Sequence, residues 1–228
     1  MKTKVFNVII LDRSGSMESI RKAALEGFNE TLQGIKKAQK DFSDTQEHFV
    51  SLITFCSCET KAVFDKTPVE QTHSLNYNDY EPCCCTPLYD AMGFTLTKMK
   101  NHVKTVDDAV VMVTVITDGL ENDSKEYSGR AIKALVKELR ENGWTFNYMG
   151  ANQDAVEVAI SMNIRNARNF TANDQGMRHT MARERNSKAL FFTSLDKLKR
   201  TKAGKPIDRK EYTELADEAF DEEQATDL

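Results

Sequence analysis

Five residues with carboxylate or hydroxyl side chains lie at the ends of apolar segments or of a polar loop in the sequence. The segment VIILDRSGSM, residues 8–17, leads from an apolar run into Asp12 and then places Ser14 and Ser16 at alternate positions. Thr86 ends a long polar loop, and Asp118 ends the apolar run before GLEND. Carboxylate and hydroxyl oxygens suit Mg²⁺ or Mn²⁺, and Mg²⁺ tends to retain water or an exogenous ligand. These five residues are therefore candidate ligands of one hard divalent cation.

The apolar segments that precede these residues predict strands of a single sheet. KVFNVIIL (4–11) and DAVVMVTVIT (108–117) are nearly continuous apolar runs, typical of parallel strands buried on both faces, and the second is expected at the centre. HFVSLITFCS and TKAVFDK flank a short turn, which predicts an antiparallel hairpin. WTFNYMGA predicts a further strand, and ARNFTA predicts a weak edge strand.

Helical spacing of apolar residues predicts the segments that connect the strands. A long helix is expected around residues 20–35, others around 92–103, 128–143 and 153–163, and a last one over 174–192. Strands alternating with helices indicate an α/β, doubly wound fold with right-handed crossovers, a mainly parallel sheet and one antiparallel edge strand. Ligands of such folds gather at the carboxyl ends of the parallel strands, so the five oxygen-bearing residues are expected to converge there.

Other interpretations of the same residues stay open. Aspartate or serine after a strand is most often the N-cap of the next helix, and Asp-Gly after a strand is a common turn. The phosphate-binding patterns GxGxxG and GxxxxGK[ST] do not occur, and neither does the nucleophile elbow GxSxG. An aspartyl-nucleophile phosphatase usually carries a second carboxylate where this chain has Ser14. The four histidines are scattered, which gives no support to acid–base chemistry by histidine.

Composition limits the class of protein. The 228 residues are 40% hydrophobic and 29% charged, which suits one folded domain with a large core. A formal net charge of −4 gives no electrostatic reason to expect nucleic acid or an acidic membrane surface as partner. No apolar run approaches the roughly 20 residues of a spanning helix, and we expect a soluble cytoplasmic protein. The oligomeric state is not indicated by the sequence.

The sequence changes character beyond about Ser194. The remaining residues are basic first and acidic last, which is typical of a solvated segment with at most one helix. We therefore divide the chain into a domain over residues 1–195 and a charged C-terminal appendage over residues 196–228, partly helical or disordered.

The five cysteines fall into two groups, Cys56 with Cys58, and the run of Cys83, Cys84 and Cys85. This odd number and close spacing differ from the disulfide framework of a secreted protein, so reduced thiols are expected. The second strand is expected beside the first, which places both groups at the metal-bearing edge. They are candidates for zinc binding or for a redox-sensitive loop, or they are small residues that pack well.

The three-part pattern resembles the metal-ion-dependent adhesion site (MIDAS) of von Willebrand factor type A (vWA) domains. That motif is written DxSxS, then a distant Thr, then a distant Asp, which here are Asp12, Ser14, Ser16, Thr86 and Asp118. LDRSGSM, TPLYDAMG, VITDGLENDS and NYMGANQDA are similar to the small stand-alone bacterial and phage members, some related to the tellurium-resistance-associated type. The resemblance covers residues 4 to about 195 and implies a three-layer αβα, Rossmann-like fold. Those members usually carry small residues such as Gly where Cys84 and Cys85 stand.

The resemblance implies binding rather than turnover. In such domains the serines and the threonine coordinate Mg²⁺ or Mn²⁺, one or both aspartates act through water, and a partner protein supplies a carboxylate. We expect a non-enzymatic adaptor in a larger complex; the alternative is a hydrolase or phosphatase that uses the same cation as Lewis acid. An adaptor should present the metal on an open surface, whose expected rim is Arg13, Met17, Glu18, Tyr89, Leu120, Glu121 and Asn122.

The resemblance also implies a final helix that can move. In vWA domains that switch, the final helix shifts with the metal ligands. Residues 174–192 offer mainly Met177, Met181, Leu190, Phe191 and Phe192 for burial, so the early turns of this helix are expected to dock weakly. A permanently packed helix with a polar outer face is the other interpretation.

Overall fold

The computed structural model describes residues 1–151, 155–202 and 207–225. The elements in chain order are β1 (Thr3–Asp12), a short 3₁₀ turn (Gly15–Ile20), α1 (Arg21–Asp41), β2 (Gln46–Cys56), β3 (Glu59–Pro68), α2 (Leu88–Val103), β4 (Ala109–Thr117), α3 (Gly129–Glu141), β5 (Thr145–Ala151), α4 (Ala155–Ser161), β6 (Asn166–Phe170), α5 (Asp174–Lys202) and α6 (Arg209–Ala225). Residues 152–154 of NYMGANQDA, and residues 203–206 and 226–228 of the predicted appendage, lie outside the described residues.

The six strands form one sheet in the order β3-β2-β1-β4-β5-β6. Neighbouring strands are parallel except β2 and β3, which pair as an antiparallel hairpin at one edge. The predicted α/β fold with one antiparallel edge strand is therefore confirmed. The two most apolar strands, β1 and β4, occupy the centre, where helices cover both faces.

Two hydrophobic cores sandwich the sheet and make the three layers. The first core lies under α1, α5 and α6, and the second under α2, α3 and α4. Alternate side chains of β1 enter opposite cores, since successive residues of a strand point to opposite faces. Val5, Ile9 and Leu11 enter the first core, and Phe6, Val8 and Ile10 enter the second. No helix in the described part of the chain has the length and apolar character to span a membrane.

The last long helix, α5, is packed closely against α1 in its early turns. Met177 and Met181 in its early turns are buried, and a Cβ added to Gly27 of α1 would lie 2.6 Å from Met181 Cγ. The expectation that these turns dock weakly is wrong, because a glycine lets α1 approach closely. Leu190, expected to be buried, is instead 37% exposed, and the buried face includes Glu184 and Lys188.

Two glycines of α1, one heptad apart, should respond oppositely to a methyl group. Gly27→Ala is expected to lower the free energy of unfolding by about 1–3 kcal/mol, because the buried Met181 cannot yield. Gly34→Ala is the matched control: its Cβ would meet only the flexible Arg185 side chain at 3.3 Å, so a better helix former should stabilise by about 0.5–1 kcal/mol. Urea denaturation of both variants measures this, and equal changes would contradict the close α1–α5 contact.

The described residues beyond 195 pack against the domain, which differs from the solvated segment expected there. α5 continues through the predicted boundary to Lys202, and α6 buries Tyr212, Ala216, Ala219 and Phe220 in the first core. Asp108, just before β4, accepts hydrogen bonds from Lys199 Nζ at 2.7 Å and from the Tyr212 hydroxyl at 2.8 Å. Both helices are thereby attached to the amino end of a central strand, away from the edge that carries the oxygen ligands.

Candidate functional site

Asp12 is held between the ends of two neighbouring central strands. It is the last residue of β1, and its side chain is buried. The Ser14 backbone N–H donates to Asp12 Oδ1 at 2.7 Å, and the Thr117 hydroxyl at the end of β4 donates to Oδ2 at 2.6 Å. Burial raises the pKa of Asp12 to about 6, although these hydrogen bonds act in the opposite direction. A buried carboxylate with these neutral donors is a suitable neighbour for a cation.

The three predicted hydroxyls meet beside Asp118. Ser16 Oγ donates to Asp118 Oδ1 at 2.6 Å and lies 3.2 Å from Ser14 Oγ. A Cβ added to Gly119 would lie 3.3 Å from Thr86 Oγ1 and 3.7 Å from Ser16 Oγ, so both hydroxyls border the same small space. Ser16 is exposed, whereas the other four candidate ligands are at most 3% exposed. The structure thus brings all five residues together with one side open to solvent.

Two loops hold each other in place around Thr86. The Thr86 backbone N–H donates to Asn122 Oδ1 at 2.8 Å, and the Asn122 N–H donates to the Thr86 carbonyl at 3.2 Å. Glu121 accepts from the N–H of Tyr89, at the start of α2, at 2.8 Å. Asp90 accepts from three successive backbone N–H groups, those of Lys125, Glu126 and Tyr127. The segments TPLYDA and TDGLENDS are therefore hydrogen-bonded to each other, and together they fix the position of Thr86.

The expected rim needs correction. The prediction that Met17 belongs to the rim is wrong, because the short 3₁₀ turn directs its side chain into the first core, where it is fully buried. Glu121 and Asn122 accept hydrogen bonds from backbone N–H groups, so they also position loops; Asn122 is exposed and Glu121 is partly buried. Leu120, two residues after Asp118, is 58% exposed.

Sequence reasoning missed two residues that orient Asp12. Thr117 was only read as part of a strand, yet its hydroxyl contacts the Asp12 carboxylate and also accepts from the Gly119 N–H at 3.1 Å. Tyr80 is fully buried, and its hydroxyl donates to the Asp12 backbone carbonyl. The available signal was weak: Thr117 directly precedes Asp118, and Tyr80 is an aromatic residue in a polar loop.

The oxygen-rich site is separate from five cavities in the described residues. Five cavities in the described ranges are lined by other residues, for example between α1 and α5 and between α2, α3 and α6. None of these five is lined by Asp12, Ser14, Ser16, Thr86 or Asp118. The oxygen-rich site is instead open to solvent at Ser16.

No protein-family model matches the sequence, and no curated protein matches it significantly. Solved structures do match its fold. The pilus adhesin SpaC of Lactobacillus rhamnosus GG aligns with a TM-score of 0.61 at 13% identity, over 84% of this chain and 31% of that one. The mussel byssus proximal thread matrix protein 1, with a zinc-occupied MIDAS motif, aligns with a TM-score of 0.54 at 12% identity, over 82% of this chain and 46% of that one.

The VWA domain of SpRpn10 aligns over 94% of its own length and 78% of this chain, with a TM-score of 0.50 and 10% identity. This chain spans less than half of the length of the adhesin and of the byssus protein. At such low identities the alignments show the fold alone. The expected three-layer, Rossmann-like vWA fold is confirmed, and the structural neighbours are vWA domain proteins.

Proposed function

We propose that this chain is a metal-dependent protein-binding module. A divalent cation, Mg²⁺ or Mn²⁺, is held by Asp12, Ser14, Ser16, Thr86 and Asp118 and accepts a carboxylate from a partner protein. The observation that carries this proposal is the convergence of three hydroxyls and two carboxylates from three loops, with the exposed Ser16 on the open side. An adhesin and a byssus protein with a metal-loaded MIDAS among the structural neighbours support it.

The division of labour follows from charge. Hydroxyl ligands are neutral, so a cation that they hold keeps much of its positive charge and attracts an acidic side chain. Asp12 and Asp118 orient the bound water and hydroxyls, and Thr117 orients Asp12 through its 2.6 Å hydrogen bond. Leu120 adds an apolar contact for the partner's residues around the carboxylate.

Binding rather than turnover is part of the proposal. The cavities described above lie elsewhere, and the candidate ligands border an open surface. We propose a cytoplasmic adaptor without nucleic-acid or membrane partners, in keeping with five free thiols and a net charge of −4. The runner-up is a hydrolase or phosphatase that uses the same cation as Lewis acid.

Calorimetry of Mg²⁺ binding tests the site. Ser14→Ala combined with Ser16→Ala is expected to weaken binding by about 100-fold, since even supporting residues of a metal site contribute 10- to 100-fold. Ser19→Ala is the matched control, because Ser19 is an exposed serine of the same 3₁₀ turn and should leave binding unchanged. Equal affinities for the double variant and the wild type would show that the site is misassigned.

A capture experiment tests the function. The wild-type chain should retain acidic protein partners in Mg²⁺ and release them in EDTA, and Asp12→Ala should retain none. Release of phosphate from a generic phosphomonoester, dependent on Mg²⁺ and lost in the Ser14, Ser16 double variant, would overturn the adaptor proposal in favour of the hydrolase.

A further inference from the structure

Three cysteines form one cluster of sulfur atoms, and a fourth contacts one of them. Cys56 ends β2 and Cys58 lies in the turn to β3, while Cys83 and Cys84 belong to the loop before Thr86. The Sγ atoms of Cys56, Cys58 and Cys83 all lie within 4.8 Å of one another. Cys56 Sγ is 3.4 Å from Cys83 Sγ, and Cys58 Sγ is 2.7 Å from Cys84 Sγ. Two short segments, 25 or more residues apart in sequence, thus supply two thiols each.

We propose that this cluster binds a zinc ion through the thiolates of Cys56, Cys58, Cys83 and Cys84. Zinc prefers four tetrahedral ligands with Zn–S distances of about 2.3 Å, which puts neighbouring sulfur atoms about 3.8 Å apart. The Cys56–Cys83 separation is close to this value. Cys84 Sγ lies outside the group of three sulfur atoms that are within 4.8 Å of one another, so it has to move toward them while its distance from Cys58 Sγ opens by about 1 Å. Cys58 and Cys84 are exposed, so opening costs no core packing and the ion can enter from solvent.

The backbone holds the two cysteine segments together without a metal. Ser57 N–H donates to the Cys85 carbonyl at 3.1 Å, and Cys85 N–H donates to Ser57 Oγ at 3.0 Å. Cys83 N–H donates to the Arg13 carbonyl at 2.8 Å. The thiols are therefore preorganised, which lowers the ordering entropy that binding has to overcome.

The surrounding charge suits a thiolate cluster. One zinc ion and four thiolates carry a net charge of −2, so a nearby cation is favourable. Arg13 supplies it: its Nη2 donates to Cys56 Sγ at 3.4 Å and also lies 3.3 Å from Glu59 Oε2. The guanidinium thus reaches the most buried sulfur of the cluster.

The backbone of Cys84 has an uncommon conformation. Its φ of 64° lies in the left-handed region, which glycine tolerates best and an L side chain adopts at a cost. Strained positions of this kind persist when the surrounding structure requires the side chain. Here the residue in this conformation places its sulfur 2.7 Å from Cys58 Sγ.

The zinc site is separate from the oxygen site and does not rest on the function proposed above. Its ligands are soft thiolates, whereas the other site offers only hard oxygen. It does adjoin that site, because the Gly15 N–H donates to the Cys84 carbonyl at 3.0 Å. A bound zinc ion would clamp the β2–β3 turn to the loop that carries Thr86.

Metal analysis of the untagged full chain, purified reduced and without chelator, tests the proposal. The wild type should carry one zinc per chain, and Cys58→Ser combined with Cys84→Ser should lose at least nine-tenths of it. Both substitutions are at exposed positions, so the variant should fold, which circular dichroism checks. Cys85→Ser is the matched control, since it removes a neighbouring exposed thiol and should keep the zinc.

Two further measurements locate the ion. The Ser14→Ala, Ser16→Ala variant should keep its zinc, which excludes occupation of the oxygen site. Cobalt replacing zinc should give the intense thiolate-to-metal charge-transfer bands of a tetrahedral thiolate site. Absence of zinc after reconstitution under reducing conditions, with all five thiols titratable, would overturn the proposal, and so would a Cys58–Cys84 disulfide that persists in its place.

Discussion

Glu184→Gln is expected to lower the free energy of unfolding by about 3–5 kcal/mol, because it leaves a buried lysine charge without its partner. The side chains of Glu184 and Lys188 are 1% and 3% exposed, and Lys188 Nζ lies 2.7 Å from Glu184 Oε1. Lys188 also donates to the Thr114 hydroxyl at 2.9 Å, and that hydroxyl donates to Glu184 at 2.6 Å. Urea denaturation at neutral pH measures the loss.

A double variant separates the lost charge pair from lost packing. Glu184→Gln with Lys188→Met removes both charges, so it should be more stable than Glu184→Gln alone.

Burial by itself raises the pKa of Glu184, but the charge of Lys188 and the hydrogen bonds outweigh it and hold the pKa below the ordinary 4.5. The stabilisation should therefore be complete above pH 4.5 and disappear as the pH falls through the lowered value. A single-variant loss below about 1 kcal/mol, as for a surface pair, would contradict the buried pair.

This buried pair shows why the packing of the last two helices could not be predicted from the sequence, although the start of α5 at Asp174 was. Sequence patterns assign charged residues to solvent, yet Glu184 and Lys188 satisfy each other within the protein. The small residues Ala216 and Ala219 of α6 carry little apolar signal, although both are buried. The contact of Gly27 with Met181 depends on two helices far apart in sequence. Burial of this kind is set by tertiary partners, and no local pattern contains it.

The strands were predictable because burial on both faces leaves a continuous apolar run. β1 and β4 have such continuous apolar sequences, and they are the central pair of the sheet. The end of α3 was also signalled, since Gly143 just beyond it has a φ of +84°. Strong local constraints of this kind can be recognised in the sequence without knowing which other elements the segment packs against.

The candidate ligands were predictable because they follow strand ends, and parallel strands bring their carboxyl ends to one edge. The supporting residues were not. Asn122 and Glu121 were expected to face a partner, yet they accept from the backbone N–H groups of Thr86 and Tyr89. Such hydrogen bonds join loops that are distant in sequence, so a polar residue in a loop has no local mark that separates support from contact. Whether the five residues bind a cation stays a prediction.

Acid is expected to destabilise the protein through His48, which is buried beside α5. Its ring packs edge-on against Phe192 at 4.6 Å, and its Nε2 lies 3.1 Å from Gln46 Oε1. Burial lowers the pKa of His48 from 6.5 to about 3. The unfolded chain therefore binds a proton below pH 6.5 that the folded chain does not accept, and stability falls by about 1.4 kcal/mol for each pH unit below that value until it levels off near pH 3.

The comparison with His48→Gln isolates this effect from other titrating groups. Asp12 acts in the opposite direction in metal-free protein, because its pKa is raised to about 6 and the folded chain binds the proton first. Glu184 adds to the loss only below pH 4.5, and both contributions are common to the two proteins. The stability advantage of the wild type over His48→Gln should therefore shrink by about 2.3 kcal/mol between pH 6.5 and pH 4.5 in chelator-treated samples. Parallel urea-midpoint curves across this range would mean that His48 takes up its proton in the folded state, against its burial next to Phe192.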